Sequence, residues 1–108
     1  MYTYQLEKLL GGHNWTDHRY LEFLNNSTMS VGIYRLPVDG TDTQQPHTED
    51  EIYYVISGRA KIQVENEQQD VMPGSIVFVA ARQPHYFFDI TEELTILVFF
   101  APAEYSQR

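Results

Sequence analysis

From Arg19 to Phe100 the chain is a succession of short β-type runs, each closed by turn residues before it reaches the length of an ordinary helix. The runs are Arg19–Leu24, Met29–Leu36, Glu51–Ile56, Ala60–Glu65, Gln68–Val71, Ser75–Ala80, Pro84–Asp89 and Leu94–Phe100. Between them stand Asn25-Asn26-Ser27, Pro37–Gln45, Ser57-Gly58, Asn66-Glu67, Pro73-Gly74, Ala81–Gln83 and Thr91–Glu93. Eight such runs predict an all-β sandwich or barrel. Ahead of them, Leu6, Leu9 and Leu10 have helical spacing and Gly11-Gly12 would stop the helix, so a short N-terminal helix or turn is expected. With 108 residues there is material for one hydrophobic core, and residues 1–108 are read as one domain without linker or repeat.

Two of the runs are apolar on both faces. In Glu51–Ile56, "EIYYVI", Tyr53 and Val55 point one way while Ile52, Tyr54 and Ile56 point the other. "TILVFF", at 95–100, behaves likewise. A sheet with one wet face alternates apolar and polar residues, so something must cover the outer face here. The N-terminal segment, a second sheet and a partner subunit are the candidates, and a homodimer is the preferred expectation.

Charge narrows the function classes. Fifteen acids stand against 7 bases, for a formal charge of −8. Phosphate backbones and anionic membrane surfaces both require clustered Lys and Arg, so neither nucleic acid nor membrane is an expected partner. Cysteine is absent, which excludes disulfides and thiolate ligands and is compatible with a reducing cytoplasm. The start of the chain lacks the basic-then-apolar order of a secretion signal. The apolar runs Ile76–Ala81 and Ile96–Ala101 fall far short of the roughly 20 residues of a membrane helix. A soluble, cytoplasmic protein is expected.

The chemistry-bearing stretch is "PHTEDE", where His47 and Glu51 lie four residues apart. On one straight strand they would be roughly 13 Å apart and could not share an ion. If Thr48, Glu49 and Asp50 turn the chain, they converge. A second histidine, His85, also follows a turn-like segment and opens a strand. Two histidines and one carboxylate at neighbouring strand ends are able to form a facial triad suited to Fe(II), Mn(II), Ni(II) or Zn(II). Glu49 and Asp50 read as solvated turn residues. His13 and His18 read as surface or packing histidines, and Trp15 as a packing anchor.

The pattern resembles the cupin superfamily, specifically its small single-domain type with one conserved barrel, whose two motifs are matched here. In the first, from Gly40 to Gly58, the spacing of Glu51 to Gly58 fixes the register, so that His47 falls on the second histidine and Gln45 on the first. The second runs from Gly74 through "SIVFV" and Ala80-Ala81-Arg82 to His85, with Asp89 in the place of the family's asparagine. Ala80 and Arg82 replace the usual Pro and Gly of that turn, and four residues rather than five separate Gly40 from Gln45. The resemblance implies a double-stranded β-helix, a jelly-roll-like barrel, holding one divalent ion. Its implied ligands are His47, Glu51 and His85, with Gln45 as a fourth ligand or the partner of a bound water.

Tyr53, Phe87 and Phe99 are candidates for lining a substrate pocket or, equally, for the barrel core. Arg35 would clamp an anion if it faced inward rather than along an edge, and Arg82 precedes His85 where it would guard a pocket mouth. The expected function is that of a metal-dependent cupin acting on a small molecule, of oxygenase or of isomerase or lyase type. The alternative is a barrel that binds or senses a small molecule without turnover.

Overall fold

The structure, a computed structural model, describes residues 1–104. A short helix, α1 (Leu6–Gly11), is followed by β1 (Tyr20–Asn25), β2 (Ser30–Leu36), β3 (Asp50–Val64), β4 (Glu67–Val71), β5 (Ile76–Val79) and β6 (His85–Ala101). The ladder runs β1-β2-β6-β3-β4, with β5 also paired to β3, and every pairing is antiparallel. The result is an all-β double-stranded β-helix with a short N-terminal helix.

Two pairs of the expected strands are fused. Glu51–Ile56 and Ala60–Glu65 belong to the single strand β3, because Ser57-Gly58 bends the strand without ending it. Gly58 has φ +98°, and the ladder shifts register on either side of it. A Cβ there would lie 2.2 Å from the Glu93 carbonyl oxygen and 2.6 Å from Leu94 Cα, so only glycine allows the bend and the close approach of β6. Pro84–Asp89 and Leu94–Phe100 likewise merge into β6, with Asp89 at φ 49° marking the irregularity. Both long strands are therefore bent, and the two ends of β6 return to one place, since the His85 and Phe100 rings both lie beside His47, at 5.9 and 4.7 Å.

Strand alternation builds the core. Tyr53, Val55, Ala60 and Ile62 from β3 meet Phe87, Ile90, Leu94, Ile96, Val98 and Phe100 from β6, with Leu36, Val71 and Val79 closing the cluster. Each large apolar side chain buried this way contributes roughly 1.5–3 kcal/mol. On the outer face, the N-terminal segment covers part of β1 and β2. The Tyr4 ring packs edge-on against Phe23 at 4.9 Å, and Arg35 lies over Trp15 at 5.5 Å. The outer face of β3 and β5 is not covered in the same way. Ile52 and Tyr54 are 41% and 40% exposed, and their cross-strand partners Phe78 and Ile76 are 60% and 70% exposed. Among the described residues no helix is long and apolar enough to cross a membrane.

Candidate metal centre

His47, Glu51 and His85 come from three places in the chain and meet in the barrel. His47 sits on the loop before β3, Glu51 is the second residue of β3 and His85 the first of β6. All three are buried, and each offers a ligand atom within 4.8 Å of the others. Two hydrogen bonds stitch the loops that carry the histidines. The Arg82 N–H donates to the His47 carbonyl at 2.7 Å, and the Ala81 N–H donates to Asp50 Oδ1 at 2.8 Å.

The two rings are held by their outer nitrogens. His85 Nδ1–H donates to the Gln83 carbonyl at 2.8 Å, which turns Nε2 inward to lie 2.9 Å from Glu51 Oε1. His47 Nε2 lies 3.0 Å from Glu104 Oε2, and its Nδ1 lies 3.4 Å from the same Glu51 oxygen. An imidazole whose outer N–H is donated to a carbonyl or carboxylate presents a lone pair on the inner nitrogen, the arrangement that supports metal ligation. Glu51 Oε2, meanwhile, is buried without a hydrogen-bond partner. Two inward nitrogens around an under-satisfied carboxylate fit a divalent ion, and the donor set suits a borderline metal.

Without an ion, protons must take its place. Burial opposes charging His47, yet the hydrogen bonds and charges of Glu104 and Glu51 outweigh it and raise the ring to about 9. Burial also opposes charging His85, and its bonds to Glu51 and Gln83 again raise it. Burial would push Glu51 up, but the two histidines hold it below the ordinary carboxylate range. The metal-free cluster is thus an imidazolium–carboxylate assembly.

A cavity of about 180 Å³ opens beside His47, walled by Tyr20, Tyr34, Tyr53, Val98 and Phe100, with Glu104 at its rim. A larger groove of about 700 Å³ between β4 and β5 contains none of the three clustered residues. Tyr53 is fully buried and belongs to both core and cavity. Its hydroxyl donates to Gln44 Oε1 at 3.1 Å and lies 2.9 Å from His85 Nε2. Gln44 is turned toward Tyr53 because its amide N–H is donated to Asp42 Oδ2, and Asp42 also accepts from the Tyr34 hydroxyl and the Phe87 N–H.

The other expected site residues lie elsewhere. Gln45 is exposed, and it is Gln44 that reaches the cavity. Phe87 packs edge-on against Tyr53 in the core. Phe99 lies on the outward face of β6, because Glu51 pairs with Phe100 and so shares the inward face with Phe100 and Val98. Arg35 faces outward to Trp15 and Glu93. Arg82 is exposed with φ 68° and contributes its backbone N–H rather than its side chain. Glu49, expected in solvent, is 1% exposed and accepts from the Thr48 hydroxyl, because β3 begins at Asp50 and the preceding loop folds inward. His13 stays remote, bonded to the His18 carbonyl and packed on Trp15. Glu104, Asp42 and Gln44 were not singled out by sequence. Only the parity of β3, which turns Tyr53 inward, hinted at a polar partner.

The protein family described as "Cupin domain" matches residues 32–100. The uncharacterized protein SCO3923 of Streptomyces coelicolor is 44% identical over 104 residues, covering 96% of this chain and 99% of its own length. Among solved structures, TT1209 from Thermus thermophilus superimposes with a TM-score of 0.75 at 22% identity, over 95% of this chain and 99% of its own. KdgF from Halomonas sp. gives a TM-score of 0.74 at 18% identity, with 85% and 88% covered. The DMSP lyase DddQ from Ruegeria pomeroyi DSS-3 gives 0.69 at 18% identity over 77% of this chain, which spans only 47% of that protein. At these identities the solved structures share the fold.

Proposed function

The chain belongs to the cupin family, and on that premise we propose that it is a metal-dependent small-molecule barrel in which His47, Glu51 and His85 hold one divalent ion. The observation that carries this reading is the buried Glu51 carboxylate, faced by two imidazoles whose outer nitrogens are each held by an acceptor. A divalent ion bound there supplies Lewis acidity toward a substrate oxygen or, if redox-active, an oxygen-binding centre. The chain's own groups do the rest. Val98 and Phe100 keep the floor of the cavity apolar. The Tyr53 hydroxyl, fixed by Gln44, stands beside the His85 nitrogen as a neutral phenol, since burial and the Glu51 charge push it well above its ordinary value. It is therefore a hydrogen-bonding group that keeps its proton at neutral pH.

The solved structures of the same fold include proteins named as DMSP lyases, which supports an enzymatic reading without fixing a reaction. The exposure of Gln45 favours a second reading, a barrel that binds a small molecule without turnover, because the described cluster then has three donors rather than four. The first test is metal analysis by plasma mass spectrometry of tag-free protein. About one equivalent of iron, manganese, nickel or zinc is expected, lost in Glu51→Gln and His85→Ala. Metal far below one equivalent after reloading would refute the metal reading. Ligand-dependent thermal stabilisation without product would favour the binding module.

A further inference from the structure

We infer that Asp42 is a positioning residue of the candidate metal centre, a carboxylate outside the ligand set that holds both the start of the strand carrying His85 and the Tyr53 hydroxyl beside it. The inference rests on the metal-barrel reading of that site and names the groups that keep its His85 side in place.

The arrangement starts from a local turn. In "DTQ", at 42–44, Asp42 Oδ1 accepts the Gln44 N–H two residues on, at 3.2 Å, which folds the loop back on itself. The Gln44 side chain returns to the same carboxylate, its Nε2 donating to Asp42 Oδ2 at 2.8 Å. Two further donors arrive from distant strands. The Tyr34 hydroxyl of β2 donates to Oδ1 at 2.8 Å, and the Phe87 N–H of β6 donates to Oδ2 at 2.8 Å. Among the described residues each oxygen thus accepts two bonds, and one carboxylate joins its own loop to two strands.

Two arms run from Asp42 toward His85. The first is backbone. Phe87, held by Asp42, stands two residues beyond His85, and two residues before it the Gln83 carbonyl takes the His85 Nδ1–H. The opening of β6 is therefore fixed on either side of the histidine. The second arm is made of side chains. Asp42 Oδ2 is an acceptor, as its bond from the Phe87 N–H requires, so Gln44 turns its nitrogen to it and presents Oε1 to Tyr53. The Tyr53 hydroxyl donates to that oxygen at 3.1 Å and lies 2.9 Å from His85 Nε2. The arms also meet each other, since the Phe87 ring packs edge-on against the Tyr53 ring at 5.0 Å and 75°. Asp42, Gln44, Tyr53 and Phe87 form a closed circuit, joined to His85 through the Tyr53 hydroxyl and through the backbone of β6. Loss of the carboxylate opens the circuit in two places, whereas loss of the Gln44 amide opens one arm. Neither change touches a proposed ligand. Groups that orient metal ligands in this way govern affinity without binding the ion.

The test uses cobalt(II) as the probe, with chelator competition for affinity and the visible spectrum for geometry. Asp42→Ala should lower cobalt affinity by about tenfold or more and alter the spectrum, and Gln44→Met should lower it several-fold. In a Tyr53→Phe background the Gln44→Met loss should vanish, because that arm acts through the hydroxyl. The chelated protein supplies a readout independent of metal. There the NMR signals of the His85 ring should move in Asp42→Ala and in Gln44→Met, but not in Gly74→Ala, a destabilised control outside the circuit. Should Asp42→Ala not fold, Gln44→Met, which keeps the Asp42 bonds to β2 and β6, decides alone. Unchanged cobalt affinity in a folded Asp42→Ala, unmoved His85 signals in Gln44→Met, or a Gln44→Met loss that persists beside Tyr53→Phe would each overturn the inference. A wild type that takes up no cobalt would refute the metal reading instead, and the His85 signals would still decide the positioning role.

Discussion

The backbone N–H of Arg82 donates to the carbonyl of His47 at 2.7 Å, joining the two loops that deliver the histidines to the barrel. A second bond, from the Ala81 N–H to Asp50 Oδ1, runs parallel to it. Substituting Asp50→Ala leaves every proposed ligand in place but removes this second stitch. Stability should fall by about 0.5–1.5 kcal/mol, and metal affinity should fall by up to about tenfold as the histidine loops separate. Competition with a chelator measures the second effect, and an unchanged metal affinity would show that the Arg82–His47 bond suffices.

The metal-free protein should lose stability toward alkaline pH. His47 is raised from 6.5 to about 9, and His85 is raised as well. Groups raised on folding stabilise fully below their unfolded value and lose that contribution as pH climbs through the folded one. Glu51 is lowered, so its contribution is present above its ordinary 4.5 and is lost as pH falls through the depressed value. Melting curves of chelated protein should therefore drop between pH 6.5 and 9. Loaded protein should not show this drop, because metal binding displaces the same protons. Identical pH profiles with and without metal would contradict the assignment.

Gly58 should tolerate no side chain. Its φ of +98° and the 2.2 Å approach of the Glu93 carbonyl to a notional Cβ predict that Gly58→Ala costs roughly 2 kcal/mol or more. Urea unfolding reads this directly. Gly74, also at positive φ but with open space around it, is the control, and Gly74→Ala should cost about 1 kcal/mol, the strain term alone.

The exposed face of Ile52, Tyr54, Ile76 and Phe78 we propose as the contact between two copies of this chain. The four side chains are cross-strand neighbours and form one continuous patch, of a kind that monomers seldom expose. Light scattering near micromolar concentration should report about twice the 12.6 kDa chain mass. Phe78→Lys together with Ile76→Lys should return the monomer mass while leaving metal content unchanged. A monomeric wild type would sink the proposal.

The double-stranded β-helix and the convergence of His47, Glu51 and His85 could be anticipated from two motifs, because motif spacing encodes which strand ends face each other. Bends were less legible. Ser57-Gly58 has the composition of a turn, and only the packing of Glu93 against Gly58 makes it a kink within one strand. Side-chain parity failed where it depended on pairing. Phe99 and Phe100 are equivalent until the ladder sets Phe100 opposite Glu51. Glu104 was invisible for another reason. It follows the last strand, and both its contacts, the bond of its backbone N–H to Ser30 and its side chain against His47, join residues far apart in the chain. Glu49 resisted reading because nothing local distinguishes an acid on an inward-folded loop from one in solvent.

The two fused strands also bear on how the chain reaches its native state. In the β3–β6 ladder, Val64 pairs with His85 at the near end and Asp50 with Ala101 at the far end. Closing the near end requires the shorter loop and is entropically cheaper, so zipping from His85 toward Ala101 is the favoured order. His85 is then placed early and Glu51, beside Asp50, late. Glu104 docks only after the far end has closed. The triad is therefore completed among the last steps of assembly, and uptake of a metal ion during refolding would serve as a clock for the final closure of the barrel rather than a template for its beginning.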